Sequence, residues 1–172
     1  MSSSVNDFSE EEFRYNFLLV CNSAPWVDRM AARRPFSSLE NLLDAAAAAW
    51  AELTEEQLIA AFATRPLLGD IEALSRDLWS AQEDALNLVA DAAAVKRVYD
   101  TDVPYQAKFG FECILLCEGM TPEQQFQIVT ERMKNDRTTE FAINAAEDLK
   151  VTQRRLAELW AGRNPYQAHA AH

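Results

Sequence analysis

"TTEFAINAAEDLKVTQRRLAELW" (residues 138–160) decides the fold. Phe141, Ala145, Leu149, Leu156 and Leu159 recur at helical intervals and share one face, so the segment reads as a long final helix with those residues inward. Gly162 and then Pro165 mark its end. An apolar helix face of this length needs partners. The chain upstream supplies helix starts, not strands.

Four such starts are visible. "SEEE" (residues 9–12) precedes "FRYNFLLV", and "SSLE" (residues 37–40) precedes "NLLDAAAAAWAEL". "TEEQ" (residues 54–57) opens "LIAAFA", and "TPEQ" (residues 121–124) sets Pro122 at the first position of "QFQIVTERM". In each, a hydroxyl oxygen satisfies an orphaned amide and the acids suit the positive helix end. The middle segment, "DIEALSRDLWSAQEDALNLVADAAAVKRVYD" (residues 70–100), reads as one or two amphipathic helices. Leu74, Leu78 and Ala81 share a face that Ala85, Leu88 and Ala92 continue. "ECILLCE" (residues 112–118) is the one strand candidate; it is short, lacks an alternating partner, and is expected to form a buried helical turn. The expected fold is all-α: a compact single-domain bundle of about seven to nine helices over the whole chain. The ends, residues 1–7 and 164–172, are expected to be flexible.

Composition excludes several functions. The chain has 172 residues, enough for a real core, with 49% hydrophobic and 25% charged residues. A net charge of −11 leaves no basic face for nucleic acid, and no polybasic patch or long apolar stretch suits a membrane. Cys21, Cys113 and Cys117 are an odd set without CxxC spacing, which fits reduced thiols and a cytoplasmic protein. Cys113 and Cys117 read as small buried residues on one helix face. His169 and His172 both lie at the very end, so no Ser-His-Asp or Cys-His arrangement is available in the body. No metal-ligand spacing, P-loop or GxGxxG is present, and no cofactor is expected.

Four polar features remain. In "WSAQED", Ser80 and Glu83 lie one helical turn apart. In "YQAKFGFE", Gly110 between aromatics reads either as an anion cradle or as a packing kink. In "ERMKND", Arg132 and Asn135 are three apart, as they would also be at an ordinary helix end. "FATRPLLGD" (residues 62–70) is a turn that is too apolar, with Leu67 and Leu68, and too charged, with Arg65 directly before Pro66.

Taken in order, these features resemble one family. "SAPWVDRMAARRPF" (residues 23–36) is similar to the SPWV…RPF signature of the 2-oxo-4-hydroxy-4-carboxy-5-ureidoimidazoline (OHCU) decarboxylases. "ATRPLLGD" falls at that family's His-Pro…Leu/Ile-Gly motif and "SAQED" at its Ser-x-x-Glu-Gln motif. "YQAKFGFECILL", "ERMKNDRTTE" and "EDLKVTQRRL" resemble its later segments. The resemblance implies an all-α, often dimeric, cofactor-free enzyme of urate breakdown that converts a small anionic ureide to (S)-allantoin with release of CO2. Carried over by position, the catalytic pair is Glu83 and Arg65, the latter where the family has its histidine. Substrate binding falls to Pro66, Ser80, Asp84, Phe111, Ile114, Arg132 and Asn135, together with backbone amides around 111–115.

Two departures bear on chemistry. Histidine can give and take a proton near neutral pH; arginine cannot, though it can stabilise developing negative charge. Asp84 replaces a neutral amide, adding charge in a pocket for an anion. An Arg65–Glu83 ion pair is one expected consequence. Three readings stay open: an active decarboxylase with altered roles for Glu83 and Arg65, a homologue that has lost the reaction or acts on another anionic ureide or carboxylate, and a helical interaction domain without ligand.

Overall fold

The computed structural model describes residues 5–166, and every regular element among them is helical. Among the described residues, eleven α-helices follow a short 3-10 turn at Val5–Asp7, more than the seven to nine expected. The chain divides into two compact units. One comprises the described residues of Met1–Ala61 and Leu149–His172, and the other is Phe62–Asp148. None of the described helices is long and apolar enough to cross a membrane.

The first unit holds α1 (Glu10–Val20), α2 (Ala24–Ala31), α3 (Leu39–Ala51) and most of α4 (Glu55–Phe62). Ser9 and Glu12 form the expected reciprocal capping box, and Thr54 and Gln57 bond each other in the same way. The cap of α3 is Ser38, one residue later than the sequence pattern suggests. Its hydroxyl accepts from the Asn41 amide, while Asn41 Oδ1 accepts from the Ser37 N–H. Phe13, Phe17 and Trp26 stack in the core. Buried Arg155 donates to the carbonyls of Leu19 and Val20, two of the orphan acceptors at the end of α1.

Where described, the ends are tied down. Val5 is buried; Asn6 donates to the Phe36 carbonyl at 2.7 Å and accepts from the Phe36 N–H at 2.8 Å. Asn164, also buried, donates to Asn16 at 2.8 Å. Polar side chains on both described segments, 5–7 and 164–166, thus find partners elsewhere in the first unit. Residues 1–4 and 167–172, with His169 and His172, lie outside the described residues.

The second unit begins where the middle segment was expected to form one or two helices. It forms four: α5 (Ile71–Arg76), α6 (Leu78–Glu83), α7 (Ala85–Leu88) and α8 (Ala92–Tyr99). The breaks fall at aspartates. Asp70, Asp77 and Asp91 each cap the next helix by accepting from its first amides, and Asp84 occupies the same position before α7. An aspartate thus stands before each of these four helices at seven-residue intervals, with a side-chain cap bond at all but Asp84. Ala85 and Ala92 are exposed as a result, so the apolar stripe ends with α6. Gly69 makes the entry turn possible. Its φ is +76°, and a Cβ there would lie 2.8 Å from Tyr99 N and Val95 O of α8.

The unit continues with α9 (Asp102–Phe109), α10 (Pro122–Arg132) and the first part of α11 (Arg137–Trp160). Thr121, Gln124 and Pro122 start α10 as read from the sequence. Gly110 is the left-handed C-cap of α9, with open space where a Cβ would sit, so its conformation is that of a helix end. Residues 112–117 form no helix; the expected helical turn is an irregular run between α9 and α10. Cys113 and Cys117 are buried free thiols, but they do not share a helix face.

Candidate functional site

Every site residue expected from the sequence lies in the second unit. Ser80 and Glu83 sit one turn apart on α6, and Asp84 ends it; all three are buried, Glu83 being 5% exposed. Asp77 fixes the start of this helix by accepting from the amides of Trp79 and Ser80. Asp84 does not turn outward. Its N–H closes α6 on the Ser80 carbonyl, and its Oδ1 accepts from the buried Asn87 amide at 3.4 Å. Cys117 lies beside the same group. Burial, then the carboxylates of Asp84 and Glu83, push its thiol pKa well up, so it stays protonated at neutral pH.

In the turn, Arg65, Pro66 and Leu67 are half-buried and Leu68 is buried. The acid on Arg65 that the sequence did not single out is Asp148 of α11. Arg65 Nε and Nη2 donate to the same oxygen, Asp148 Oδ1, at 2.9 and 2.7 Å. The side chains are 9% and 0% exposed, so this is a buried ion pair.

Phe111, Ile114, Arg132 and Asn135 gather around a second centre. Phe111 is enclosed by the rings of Phe62, Tyr105, Phe109 and Phe141, with centroids 5.6–6.0 Å away. Arg132 donates from Nε to Glu140 Oε2 at 2.8 Å, from Nη1 to the Ile114 carbonyl at 2.7 Å, and from Nη2 to Asn144 Oδ1 at 2.8 Å. Tyr105 donates a very short hydrogen bond to the same Glu140 oxygen, and Asn135 donates to the other one at 3.2 Å. Burial works against the charge on Arg132, but Cys113, Glu140 and Tyr105 more than offset it and raise the pKa. Burial pushes the Cys113 thiol up to about 12, so it is neutral at pH 7 and Glu140 is the operative counter-charge.

Asn144 completes this centre. Its Oδ1 accepts from the Ile114 N–H at 2.6 Å, and its Nδ2 donates to the Glu112 carbonyl at 2.9 Å. Two backbone groups of the irregular run 112–117 are thus satisfied by Asn144, and the Ile114 carbonyl by Arg132, in place of a helix or strand ladder.

Four residues that organise the site were missed in the sequence: Tyr105, Glu140, Asn144 and Asp148. The last three lie four apart on α11, all at 0% exposure, while Phe141, Ala145 and Leu149 are only half-buried. The innermost stripe of this part of α11 is polar, and each of its members holds a different site-bearing segment. Polar residues at i, i+4 and i+8 beside an apolar face were the available signal.

Chemically, the arrangement offers a fixed cation at Arg65, a buried carboxylate at Glu83 and a backbone run held in one conformation. A cavity of about 410 Å³ beside Gly69, lined by Asn87, Val95 and Tyr99 among others, contains none of the expected site residues.

The family described as OHCU decarboxylase matches residues 6–157. A 2-oxo-4-hydroxy-4-carboxy-5-ureidoimidazoline decarboxylase of Haloferax volcanii is 26% identical over 159 residues, covering 90% of this chain and 92% of that protein. A uric acid degradation bifunctional protein of Arabidopsis thaliana is 25% identical over 163 residues, but the chain spans only 49% of its length. Among solved structures, an OHCU decarboxylase crystallised in the presence of (S)-allantoin has a similar fold. Its TM-score is 0.76 at 22% identity, covering 90% of this chain and 99% of that one. An (S)-allantoin synthase matches with a TM-score of 0.68 at 14% identity, over 90% of this chain and 52% of that one.

Proposed function

Because the chain belongs to the OHCU decarboxylase family, we propose that it decarboxylates 2-oxo-4-hydroxy-4-carboxy-5-ureidoimidazoline to (S)-allantoin in urate breakdown, as a cofactor-independent carboxy-lyase. The observation that carries this reading is α6, a capped helix that buries Ser80 and Glu83 one turn apart. In the reaction, the bond from the ring carbon to the carboxylate breaks and CO2 leaves. The electron pair passes into the ring system, and a proton is added on one ring face. Glu83 moves that proton. Arg65 cannot, since a guanidinium does not release its proton; it stabilises the developing negative charge. Ser80, Pro66 and Asp84 contact the substrate, while Arg132 and Asn135 support the run around Phe111 and Ile114 that faces it. The same reading carries a cytoplasmic location and a homodimer.

A second reading is favoured by the Arg65–Asp148 pair. A guanidinium held by a buried carboxylate is partly neutralised, which suits a homologue that has lost this reaction or handles another anionic ureide or carboxylate. Turnover of freshly generated substrate, followed by circular dichroism of the allantoin formed, tests both. Rapid appearance of the S enantiomer, abolished by Glu83→Gln, is expected. A wild-type rate equal to the spontaneous one, with a gain on Arg65→His, would establish the second reading.

A further inference from the structure

Asn144 bonds the residues on either side of Cys113: the carbonyl of Glu112 and the N–H of Ile114. A residue on a parallel neighbouring strand bonds an extended chain in this way, so the side-chain amide acts as a one-residue strand partner. Arg132 extends the pattern by donating to the Ile114 carbonyl. The backbone groups of an extended chain alternate in direction. The Glu112 carbonyl and both backbone groups of Ile114 are spent toward α10 and α11, so in an extended run the amides of Cys113 and Leu115 turn the other way.

We propose that Asn144 is a positioning residue that sets which amides are offered to the substrate: those of Cys113 and Leu115, and not that of Ile114. This rests on the decarboxylase reading, in which the amides around 111–115 hold an oxygen of the ureide. Asn144 is fully buried; it bonds this run directly, and its Oδ1 also accepts from Arg132 Nη2 at 2.8 Å. A change at position 144 therefore acts by letting the run rotate, which swaps the donor set.

The test is amide-resolved NMR of the labelled full chain titrated with (S)-allantoin, beside turnover kinetics. In the wild type, the amides of Cys113 and Leu115 should shift together with those of Ser80 and Glu83, while Ile114 stays still. Asn144→Ala should bring Ile114 into the shifted set and raise KM about tenfold, with a smaller change in kcat. Asn144→Asp keeps the acceptor for Ile114 but loses the donor to Glu112, and should give a partial effect even where the alanine variant does not fold. A purely structural role would lower the melting temperature without changing which amides respond. Shifts at Ser80 and Glu83 accompanied by Ile114 in the wild type would overturn the inference and leave the decarboxylase reading intact. No shift at any of these amides would overturn both.

Discussion

Replacing Arg65 should damage this protein more than replacing its partner Asp148, and by a predictable amount. The Asp148 side chain is 0% exposed, and its second oxygen, Oδ2, meets no hydrogen-bond donor among the described residues. Arg65→Leu leaves that carboxylate buried without its cation. Breaking a buried pair in this direction costs about 3–5 kcal/mol, a large share of the roughly 5–15 kcal/mol that holds a typical domain together. Asp148→Asn differs. Arg65 sits at the edge, with 9% of its side chain exposed, and its long stem can carry the charge toward water. The loss there is about 1–3 kcal/mol, that of a charge-assisted hydrogen bond. The double variant Arg65→Leu with Asp148→Leu removes both charges and should recover most of the loss, since well-packed apolar replacements of buried pairs are often neutral. Urea denaturation of Arg65→Leu, Asp148→Leu and the double closes the cycle, with Asp148→Asn as the isosteric comparison. A loss under about 1 kcal/mol for Arg65→Leu, or strict additivity of the two changes, would refute the reasoning. The outcome also governs how Arg65→His is read: imidazole is shorter than guanidinium, so an inactive histidine variant is informative only at matched folded fraction.

Three further outcomes follow from single residues. Gly69→Ala places a side chain in the left-handed region, at about 1–2 kcal/mol, and drives it against the α8 backbone 2.8 Å away. A melting temperature within error of the wild type would contradict this. Asp77→Ala should cost about 1 kcal/mol as a lost N-cap and loosen α6, with faster hydrogen exchange at Ser80 and Glu83 than at α10 amides. Cys113 makes stability fall at high pH. Its folded pKa of about 12 exceeds the ordinary 9.0, so both states are protonated below about pH 9, and above it only the unfolded chain ionises. Between about pH 8 and about pH 10.5 the wild type should lose about 2 kcal/mol relative to Cys113→Ala, read from urea midpoints.

Much of the helical framework was legible because its signals are local. The capping boxes at Ser9, Thr54 and Thr121 each involve residues three apart, and all three start helices as read. The division of residues 70–100 was legible too, in the aspartates at 70, 77, 84 and 91, but apolar periodicity hides it. The apolar spacing continues in the sequence through Ala92, but the backbone breaks at the aspartates leave Ala85 and Ala92 exposed. The candidate site was half legible. Ser80, Glu83 and Arg132 could be picked out by position, but what fixes them could not.

By itself, the sequence determined that this chain is all-helical, where several of its helices start, and which family it resembles. These follow from hydrogen bonds within one turn and from motifs that need no partner. Tertiary structure alone decided that Arg65 faces Asp148, 83 positions away, and that Asn144 stands in as a strand for residues 112–114. A polar residue on an apolar helix face is unfavourable until a remote group satisfies it. No local pattern names that group, so the polar stripe of α11 acquires its meaning only when distant segments fold against it.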